Sequence, residues 1–416
     1  MATAAIPDLA VDPIAGKSGG LTRSGAARLD TIDALRGLVI AIMVLDHVRD
    51  YFHDGALVFD PTDPLRTTPI LFATRWITHL CATTFVFLSG VSIYLQRAGG
   101  KPPGTLTRFL LSRGLWLIFL EVTVVSFGFN FGWPFAFMQV IWAIGFGMVA
   151  MSVISRLNSR AVLAIGMAII ALCPLVSAAI GAPPPAADAG AVAAAEAVAH
   201  ALLLSPAVLA DGHLMAMYAA IPWLGVMCLG FGAGPVFLMP GPERRRAILL
   251  SAGLLLTIFA MLRGLNGYGD PAPWSVLDTA ARTVMSFLNL SKYPPSPIFV
   301  CATLGCSMLV FLALEGLRGP AQRVLLDFGR TPLMTYVAHI YIAHGLMLIT
   351  AAALGRPDDA IDLIHRSIIG AGPTDWGFSL PVVYAVWALV VAALIPIARW
   401  FADVKRRRRD WWLGYL

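Results

Sequence analysis

The stretch that decides the fold is residues 32–53, IDALRGLVIAIMVLDHVRDYFH. Its centre is apolar, whereas its end carries five acidic or basic residues, Asp46, His47, Arg49, Asp50 and His53. An apolar segment of about 20 residues is long enough to cross a bilayer as a helix. Ionisable groups inside such a helix are costly and are typical of functional sites. The stretch therefore predicts a first membrane span that carries part of a site near one end.

The composition of the whole chain agrees with a membrane protein. Of its 416 residues, 58% are hydrophobic and 13% are charged, whereas soluble domains carry about 25% charged residues. A water-soluble fold could not bury so much apolar surface, so we predict an all-α, polytopic bundle of transmembrane helices with about ten spans. The predicted spans are residues 32–53, 68–95, 108–128, 135–156, 161–181, 214–238, 247–264, 297–316, 331–354 and 380–402.

The basic residues are divided unequally between the two sides of this bundle. If the N-terminus is cytoplasmic, most of the 30 Lys and Arg residues lie on the cytoplasmic side, including the run 405–409. This bias predicts that both termini are cytoplasmic, which an even number of spans satisfies. We therefore assign the net charge of +6 to topology and predict no nucleic-acid partner. We expect three regions, namely a disordered tail (1–28), a transmembrane domain (29–404) and a basic C-terminal tail (405–416).

The charged end of the first span is the strongest candidate for an active site. His47 lies one helical turn from Asp50, and a carboxylate beside an imidazole raises its basicity, as a general base requires. Asp46 and Arg49 share one face of the same helix. The alternative is an interfacial rim of solvated charges, but three acids, two histidines and one arginine within residues 46–54 favour a site.

Two later spans carry further histidines. Arg75 and His79 are four residues apart on one face of the second span, at a depth comparable to that of His47. On the ninth span, His339 lies nearer the middle of the membrane and His344 nearer the outer surface, about 140° apart around the helix. One of these two is a candidate for the site and the other for helix packing. Helix packing is also the alternative for His79.

The loop between the seventh and eighth spans contains residue types that suit a polyhydroxyl ligand. Its Gly and Pro residues form tight turns that can return the loop over the mouth of the bundle. The candidate binding residues are Arg263, Tyr268, Asp270, Lys292 and Tyr293. Hydrogen bonds and ring stacking from such residues suit a sugar, and the alternative is an ordered loop without a ligand.

The other polar residues within the spans have simpler explanations. Asp33 and Arg36 can form a local ion pair at the cytoplasmic start of the first span, and Gly37 allows a helix or a ligand to approach closely. A cytosolic anion such as a nucleotide phosphate could compete for Arg36. Glu121 is expected to pair with an Arg or His from another helix, and a structural polar contact is favoured over a role in a site. The five cysteines form no CxxC pair, so no metal site is predicted.

Several stretches form distinctive motifs: residues 28–37 (RLDTIDALRG), 43–53, 85–90 (FVFLSG), 222–226, 262–274, 286–296 and 328–333. They resemble bacterial proteins of the heparan-α-glucosaminide N-acetyltransferase catalytic-domain family. The resemblance implies a membrane acyltransferase in a bacterial inner (plasma) membrane. It implies acetyl-CoA or another acyl-CoA as the cytosolic donor, and an envelope glycan or a small molecule as the acceptor on the far side.

The resemblance also bears on the choice of catalytic histidine. In the family a histidine near the start of the membrane domain is the proposed key residue, and it has no unambiguous match here. Relative to the FVFLSG motif, His79 takes the position that resembles an aspartate in the lysosomal member of the family. The wider class of membrane O-acyltransferases resembles this chain in another feature. These proteins have an Asp-x-x-Arg-Gly motif at the start of the first helix and a histidine at its outer end. His47 is the best match to that histidine. The resemblance thus implies His47 first and His79 second.

Together these expectations describe a transmembrane acyltransferase. His47, oriented by Asp46 or Asp50, would deprotonate the acceptor, and Arg75 or Lys292 would stabilise the oxyanion. A covalent acyl-imidazole intermediate is the alternative route. The expected partners are the bilayer, the acyl-CoA and the acceptor, and a homodimer stays open.

Two other classes of function remain as alternatives. One is a proton-coupled transporter of a small solute, which intramembrane His and Asp residues would also suit, and the other is a non-catalytic membrane scaffold.

Overall fold

The computed structural model describes residues 23–132, 134–181, 191–373, 375–408 and 410–415, with side chains from Asp30 onward. The predicted disordered tail falls largely on residues 1–22, which lie outside this description, and the first helix begins at Arg23. At the other terminus the chain is helical as far as Arg407, beyond the predicted start of the basic tail at residue 405.

The described chain consists almost entirely of helices. They are α1 (Arg23–Phe52), α2 (Pro69–Ala98), α3 (Pro103–Leu120), α4 (Ser126–Asn130), α5 (Val140–Ile154), α6 (Ser159–Ile180), α7 (Ala191–Leu203), α8 (Ala220–Ala233), α9 (Gly241–Leu265), α10 (Ala280–Leu288), α11 (Pro297–Leu314), α12 (Pro320–Arg330), α13 (Pro332–Ala353), α14 (Leu363–Ile368) and α15 (Leu380–Arg407). A π-helical turn, Glu121–Val125, joins α3 to α4. Short 3-10 turns occur at Gly234–Leu238, Pro357–Asp359 and Trp411–Tyr415.

The prediction of a polytopic helical fold is confirmed. Within the described ranges, eight helical segments are long and apolar enough to cross a membrane, and they coincide with eight of the predicted spans. The other two predicted spans correspond to α1 and α5. Helix α1 carries several charged residues along its length, and α5 has 15 residues. The total of about ten spans therefore stays a prediction.

Helix α1 lies at the centre of the bundle. It contacts α2, α11, α12, α13 and α15, and its residues Ile40, Val44 and Val48 are completely buried. Because protein surrounds α1, its polar residues face neighbouring helices instead of lipid, which is the arrangement that makes charge tolerable at membrane depth. This central position brings the charged end of α1 against side chains from several other helices.

The connections between helices collect at two opposite ends of the bundle. At one end, called the loop end, His53 pairs through its backbone with Phe378, and the Asn130 side chain hydrogen bonds to Asp362. At the other, called the basic end, Arg97 donates to the Ser155 carbonyl oxygen at 2.5 Å. Arg244 forms an ion pair with Glu315 at 3.0 Å, also at the basic end.

A small β-sheet at the loop end was not predicted. Its strands are β1 (Ala136–Met138), β2 (Ala207–Leu209) and β3 (Leu214–Ala216), and β3 lies between a parallel β1 and an antiparallel β2. The predicted span 135–156 began one residue before β1, and 214–238 began with β3. The helices begin only at Val140 and Ala220, so those two starts were wrong. Short apolar runs have the same hydropathy in a strand as in a helix.

The contact between α1 and α12 explains Gly37. A Cβ atom at Gly37 would lie 1.9 Å from the Leu325 carbonyl oxygen, and one at Gly329 would lie 1.9 Å from the Asp33 carbonyl oxygen. The two helix backbones therefore touch at two points where only glycine fits. Of the two predicted roles for Gly37, close approach of a helix is the one that the structure contains.

Candidate functional site

A pair of buried histidines joins α1 to α13. The Nδ1 atom of His47 lies 2.6 Å from Nε2 of His339, which is a hydrogen-bonding distance. The two rings are nearly parallel, with an interplanar angle of 8° and centroids 4.9 Å apart. The exposed fraction of His47 is 7%, and His339 is completely buried. Because 292 residues separate the two histidines in the chain, only the packing of α13 against α1 brings them together.

The hydrogen bonds of this pair specify which nitrogen carries each proton. The other nitrogen of His339, Nδ1, lies 3.3 Å from the Thr335 carbonyl oxygen. A carbonyl oxygen can only accept, so His339 Nδ1 carries a proton and Nε2 of the neutral ring is an acceptor. His47 must then donate through Nδ1, which leaves its Nε2 with a free lone pair. A free lone pair on His47 Nε2 can accept a proton or act as a nucleophile.

The carboxylate of Asp46 belongs to a separate charged network. Arg75 Nη1 donates to both Asp46 oxygens, at 2.7 and 2.6 Å. The Thr78 hydroxyl donates to the same carboxylate at 3.0 Å, and Arg49 Nη2 lies 3.0 Å from it. The expectation that Asp46 or Asp50 orients His47 is therefore corrected. A histidine from another helix takes that position, and Asp46 is occupied by cations.

Buried polar atoms without a protein partner lie next to these groups. Arg49 donates through Nη2 to Asp50 at 2.6 Å, but its Nε and Nη1 have no hydrogen-bond partner among the residues that the structure describes. The same is true of His79 Nδ1 and of the Tyr336 hydroxyl. The Tyr336 ring lies 5.4 Å from that of His339, edge to face. Since buried polar atoms are rarely left unpaired, such atoms mark a place for water or a ligand.

Lys292 and Tyr293, from the segment before α11, add a cation and a hydroxyl to this region. Lys292 is 6% exposed, and its Nζ lies 4.9 Å from the centre of the Tyr293 ring and 5.7 Å from that of Tyr218. Burial alone would raise the pKa of Tyr293, but Lys292 and Arg75 outweigh burial and lower that pKa below its ordinary value. The predicted loop residues Lys292 and Tyr293 thus lie at the charged network.

The other three predicted loop residues hold the loop in shape. Arg263 donates at 2.7–2.9 Å to the carbonyl oxygens of Ala272, Ser286, Phe287 and Asn289. Asp270 accepts hydrogen bonds from Ser291 and Ser296. The Tyr268 hydroxyl donates to a backbone carbonyl of α6. These contacts favour the alternative reading, an ordered loop, for Arg263, Tyr268 and Asp270.

His344 is separated from the histidine pair. Its Nδ1 lies 2.9 Å from the Gly128 carbonyl oxygen, and its Nε2 lies 3.0 Å from that of Ala360. Its ring stacks on Phe131, with centroids 4.0 Å apart. Both nitrogens are thus engaged by the backbone, and of the two α13 histidines only His339 meets His47.

Two other sequence expectations end in local contacts. Arg36 donates to Asp33 at 2.9 Å, to the Gly329 carbonyl oxygen at 3.1 Å and to Ser92 at 3.3 Å, which favours an ion pair between helices over a free anion site. The expected cationic partner of Glu121 is wrong. Glu121 accepts backbone N–H bonds from Gln139 and Trp142, at 3.0 and 2.9 Å, because the start of α5 presents unpaired donors.

Two residues near the Asp46 network and Lys292, Thr78 and Tyr218, were not predicted from the sequence. Thr78 follows Arg75 by three residues, so helical spacing alone could have placed it beside the Asp46 network. Tyr218 precedes α8 and had no local signal that linked it to Lys292. Within the described ranges, no group of three His, Cys, Asp or Glu side chains lies close enough to hold a metal ion.

The fold and this cluster define a polytopic membrane protein with a buried histidine pair beside an arginine–aspartate network. The family model described as heparan-alpha-glucosaminide N-acetyltransferase, catalytic, matches residues 28–264, which is more than half of the chain. The chain belongs to this family of membrane acetyltransferase type, which confirms the resemblance. No curated protein matches the chain. The matched region includes His47 and Arg75, whereas His339 and Lys292 lie beyond it.

Proposed function

We propose that the protein is a transmembrane acyltransferase of a bacterial inner membrane, with both termini in the cytoplasm. It transfers an acyl group, acetyl in the simplest case, from a cytosolic acyl-CoA to a sugar hydroxyl or amine on the periplasmic side. The observation that carries the proposal is the His47–His339 pair, because its hydrogen bonds leave a basic nitrogen beside unpaired buried donors. Membership of the family supports acetyl transfer as the class of reaction.

The reaction would begin with His47 as the general base. Its Nε2 takes the proton of the acceptor O–H or N–H as the acceptor oxygen or nitrogen attacks the thioester carbonyl carbon. The resulting imidazolium donates through Nδ1 to His339 Nε2, so the partner stabilises the charge that develops. The tetrahedral intermediate then collapses, the C–S bond breaks, and the leaving thiolate takes the proton from His47. General-base catalysis of this kind contributes roughly 10²–10⁴-fold to the rate.

Arg49 is the best candidate for stabilising the oxyanion. Its Nε and Nη1 are buried and unpaired, whereas Arg75 is already engaged on both oxygens of Asp46. A buried donor directed at the developing negative charge is typically worth about 10²–10³-fold in rate. In this scheme Asp46, Asp50 and Arg75 fix the position and charge of Arg49, while His79 and Lys292 line the same polar region and bind substrate.

The direct test measures acyl transfer by the purified protein in lipid nanodiscs. Acetyl-CoA and glucosamine are supplied, and release of CoA and formation of acetylated amine are followed together. We expect His47→Ala to lower kcat by roughly 10²–10⁴-fold. His200→Ala, on the peripheral helix α7, is the matched control and should keep wild-type activity. Wild-type turnover by His47→Ala, with normal folding, would refute the assignment of His47, and a lack of transfer from any acyl-CoA would refute the function.

Proton-coupled transport of a small solute is the second candidate. It is favoured by the same buried hydrogen bond between His47 and His339, along which a proton could pass. Proteoliposomes with an imposed pH gradient separate the two functions. The acyltransferase proposal predicts no uptake of glucosamine beyond that of empty liposomes, and proton-dependent uptake without acetylation would favour the transporter.

A further inference from the structure

A cavity of about 490 Å³ opens at the basic end of the bundle between α12 and α15. It is lined by Arg323, Leu326, Asp327, Arg330, Arg399 and Arg406. The lining thus contains four arginines and one aspartate. The volume of the cavity lies within the range of about 300–1,000 Å³ that is typical of ligand pockets. None of the residues that line the cavity belongs to the site described above.

The carboxylates near the cavity only partly balance its arginines. Arg399 Nε lies 3.4 Å from Asp327, and Arg330 lies 2.8 Å from Asp30 through Nη2 and 3.7 Å from Asp33 through Nε. Arg406 pairs with Asp403 on its own helix. Within the part of the chain that the structure describes, the Arg323 guanidinium has no carboxylate within ion-pair distance. The lining itself, with four arginines and one aspartate, thus carries an excess of positive charge that an anion in the cavity would balance.

We infer that this cavity is a binding site for a phosphate group. The planar guanidinium matches the oxygens of a phosphate with paired N–H donors, and arginine is over-represented where phosphate is recognised. Two sources carry that chemistry at a membrane surface, the phosphates of a coenzyme A nucleotide and the phosphodiester of an anionic lipid. Arg36, which the sequence suggested for this purpose, is engaged by Asp33, Gly329 and Ser92.

The position of the cavity relates it to the histidine pair. Arg330 ends α12, α13 begins at Pro332, and His339 follows Arg330 by nine residues. From Pro332 to His339 is seven residues, or roughly 10 Å along α13 at 1.5 Å per residue. A nucleotide held at the cavity would therefore lie near the start of the helix that carries His339, and its acyl-bearing arm would have to extend along α13 to reach the histidine pair. Only this last step rests on the proposed function, since phosphate binding does not require catalysis.

The test compares two double variants that each remove two exposed arginines from the basic end. Arg323→Gln with Arg399→Gln alters the cavity, and Arg156→Gln with Arg318→Gln is the matched control. Coenzyme A is titrated calorimetrically against protein in phosphatidylcholine nanodiscs, and retention of phosphatidylglycerol is measured by native mass spectrometry. Hydrogen bonds to charged groups are worth about 1.5–3 kcal/mol each, so we expect at least about a tenfold increase in Kd, or a matching loss of lipid, in the cavity variant alone.

The two arms identify the source of the phosphate. A loss confined to coenzyme A identifies the nucleotide, and a loss confined to phosphatidylglycerol identifies the lipid. Unchanged binding of both ligands by the cavity variant, or no binding of either by the wild type, would overturn the inference. A cavity variant that loses binding while the wild type shows no acyl transfer would leave the phosphate site standing and refute only the proposed function.

Discussion

The tautomer of the His47 imidazole depends on a backbone carbonyl oxygen that is two hydrogen bonds away. The Thr335 oxygen fixes the proton on His339 Nδ1, His339 then accepts from His47, and the lone pair remains on His47 Nε2. Serine hydrolases use a carboxylate to hold their imidazole in one tautomer. A neutral histidine does the same here without placing another negative charge in the centre of a membrane protein, where an unpaired charge is costly.

Replacing His339 tests this positioning role. His339→Ala removes the acceptor of the hydrogen bond from His47 Nδ1, so we expect kcat to fall by about 10- to 100-fold. This loss corresponds to the roughly 1.5–3 kcal/mol that a hydrogen bond to a charged group contributes. The KM for acetyl-CoA should stay unchanged. His339→Asn supplies a side-chain oxygen as acceptor and should restore part of the activity.

The readouts for this experiment are initial rates over a range of acetyl-CoA concentrations and pH values. A positioning role predicts that the pH profile of kcat changes shape in His339→Ala and returns towards the wild-type shape in His339→Asn. Equal losses in both variants, or an effect on KM alone, would indicate that His339 only packs against its neighbours.

At the scale of the residue, the sequence predicted which polar side chains lie inside the bundle better than it predicted which side chains they contact. His47, Arg75 and His339 were all candidates from their position in apolar helices, because hydropathy makes an intramembrane charge conspicuous. The pairing of His47 with a carboxylate was inferred from helical spacing, which reports only contacts within one helix. The true partner is on α13, and no local pattern encodes a contact between helices so far apart in the chain.

At the scale of secondary structure, the contact of α1 with α12 depends on two glycines. Gly37→Ala would place a methyl group 1.9 Å from the Leu325 carbonyl oxygen, which is backbone and cannot rotate away. Overpacking of this kind costs about 1–3 kcal/mol. We therefore expect a lower thermal unfolding midpoint, measured by tryptophan fluorescence in detergent.

Gly253→Ala in α9 is the matched control for this prediction. It lies in a helix with no atom within 4 Å of the new methyl group, and alanine favours the helix by up to about 1 kcal/mol. Its unfolding midpoint should therefore equal or exceed that of the wild type. If Gly37→Ala unfolds at the same temperature as Gly253→Ala, the close contact between α1 and α12 would be disproved.

The helices themselves were largely predictable, whereas the ends of some were not. Apolar runs of about 20 residues define spans by length, and all ten predicted spans coincide with helices. The errors lie at the loop end, where three-residue strands continue the apolar character of α5 and α8. Glu121 shows a related limit, since its partners are backbone N–H groups at the start of α5, and hydropathy does not reveal where those donors become free.

At the scale of the whole molecule, the charge bias and the two sites make one consistent arrangement. Basic side chains surround the α12–α15 cavity at one end, while the Asp46 network and the segment with Lys292 lie towards the other. If the basic end is cytoplasmic, a cytosolic donor meets the arginines first and an external acceptor meets the loop end. The inverted orientation would separate cytosolic coenzyme A from the cavity.

Cysteine labelling of two exposed positions decides between these orientations. Ser275→Cys lies at the loop end, and Gly316→Cys lies at the basic end, where a new side chain has open space. With a membrane-impermeant maleimide on intact spheroplasts, we expect labelling of Ser275→Cys only, and labelling of Gly316→Cys after permeabilisation. The wild type measures the background from the five native cysteines, which are buried or half-buried. The reverse pattern would place the arginine cavity outside, and a cytosolic acyl donor could then not be the ligand that its charge attracts.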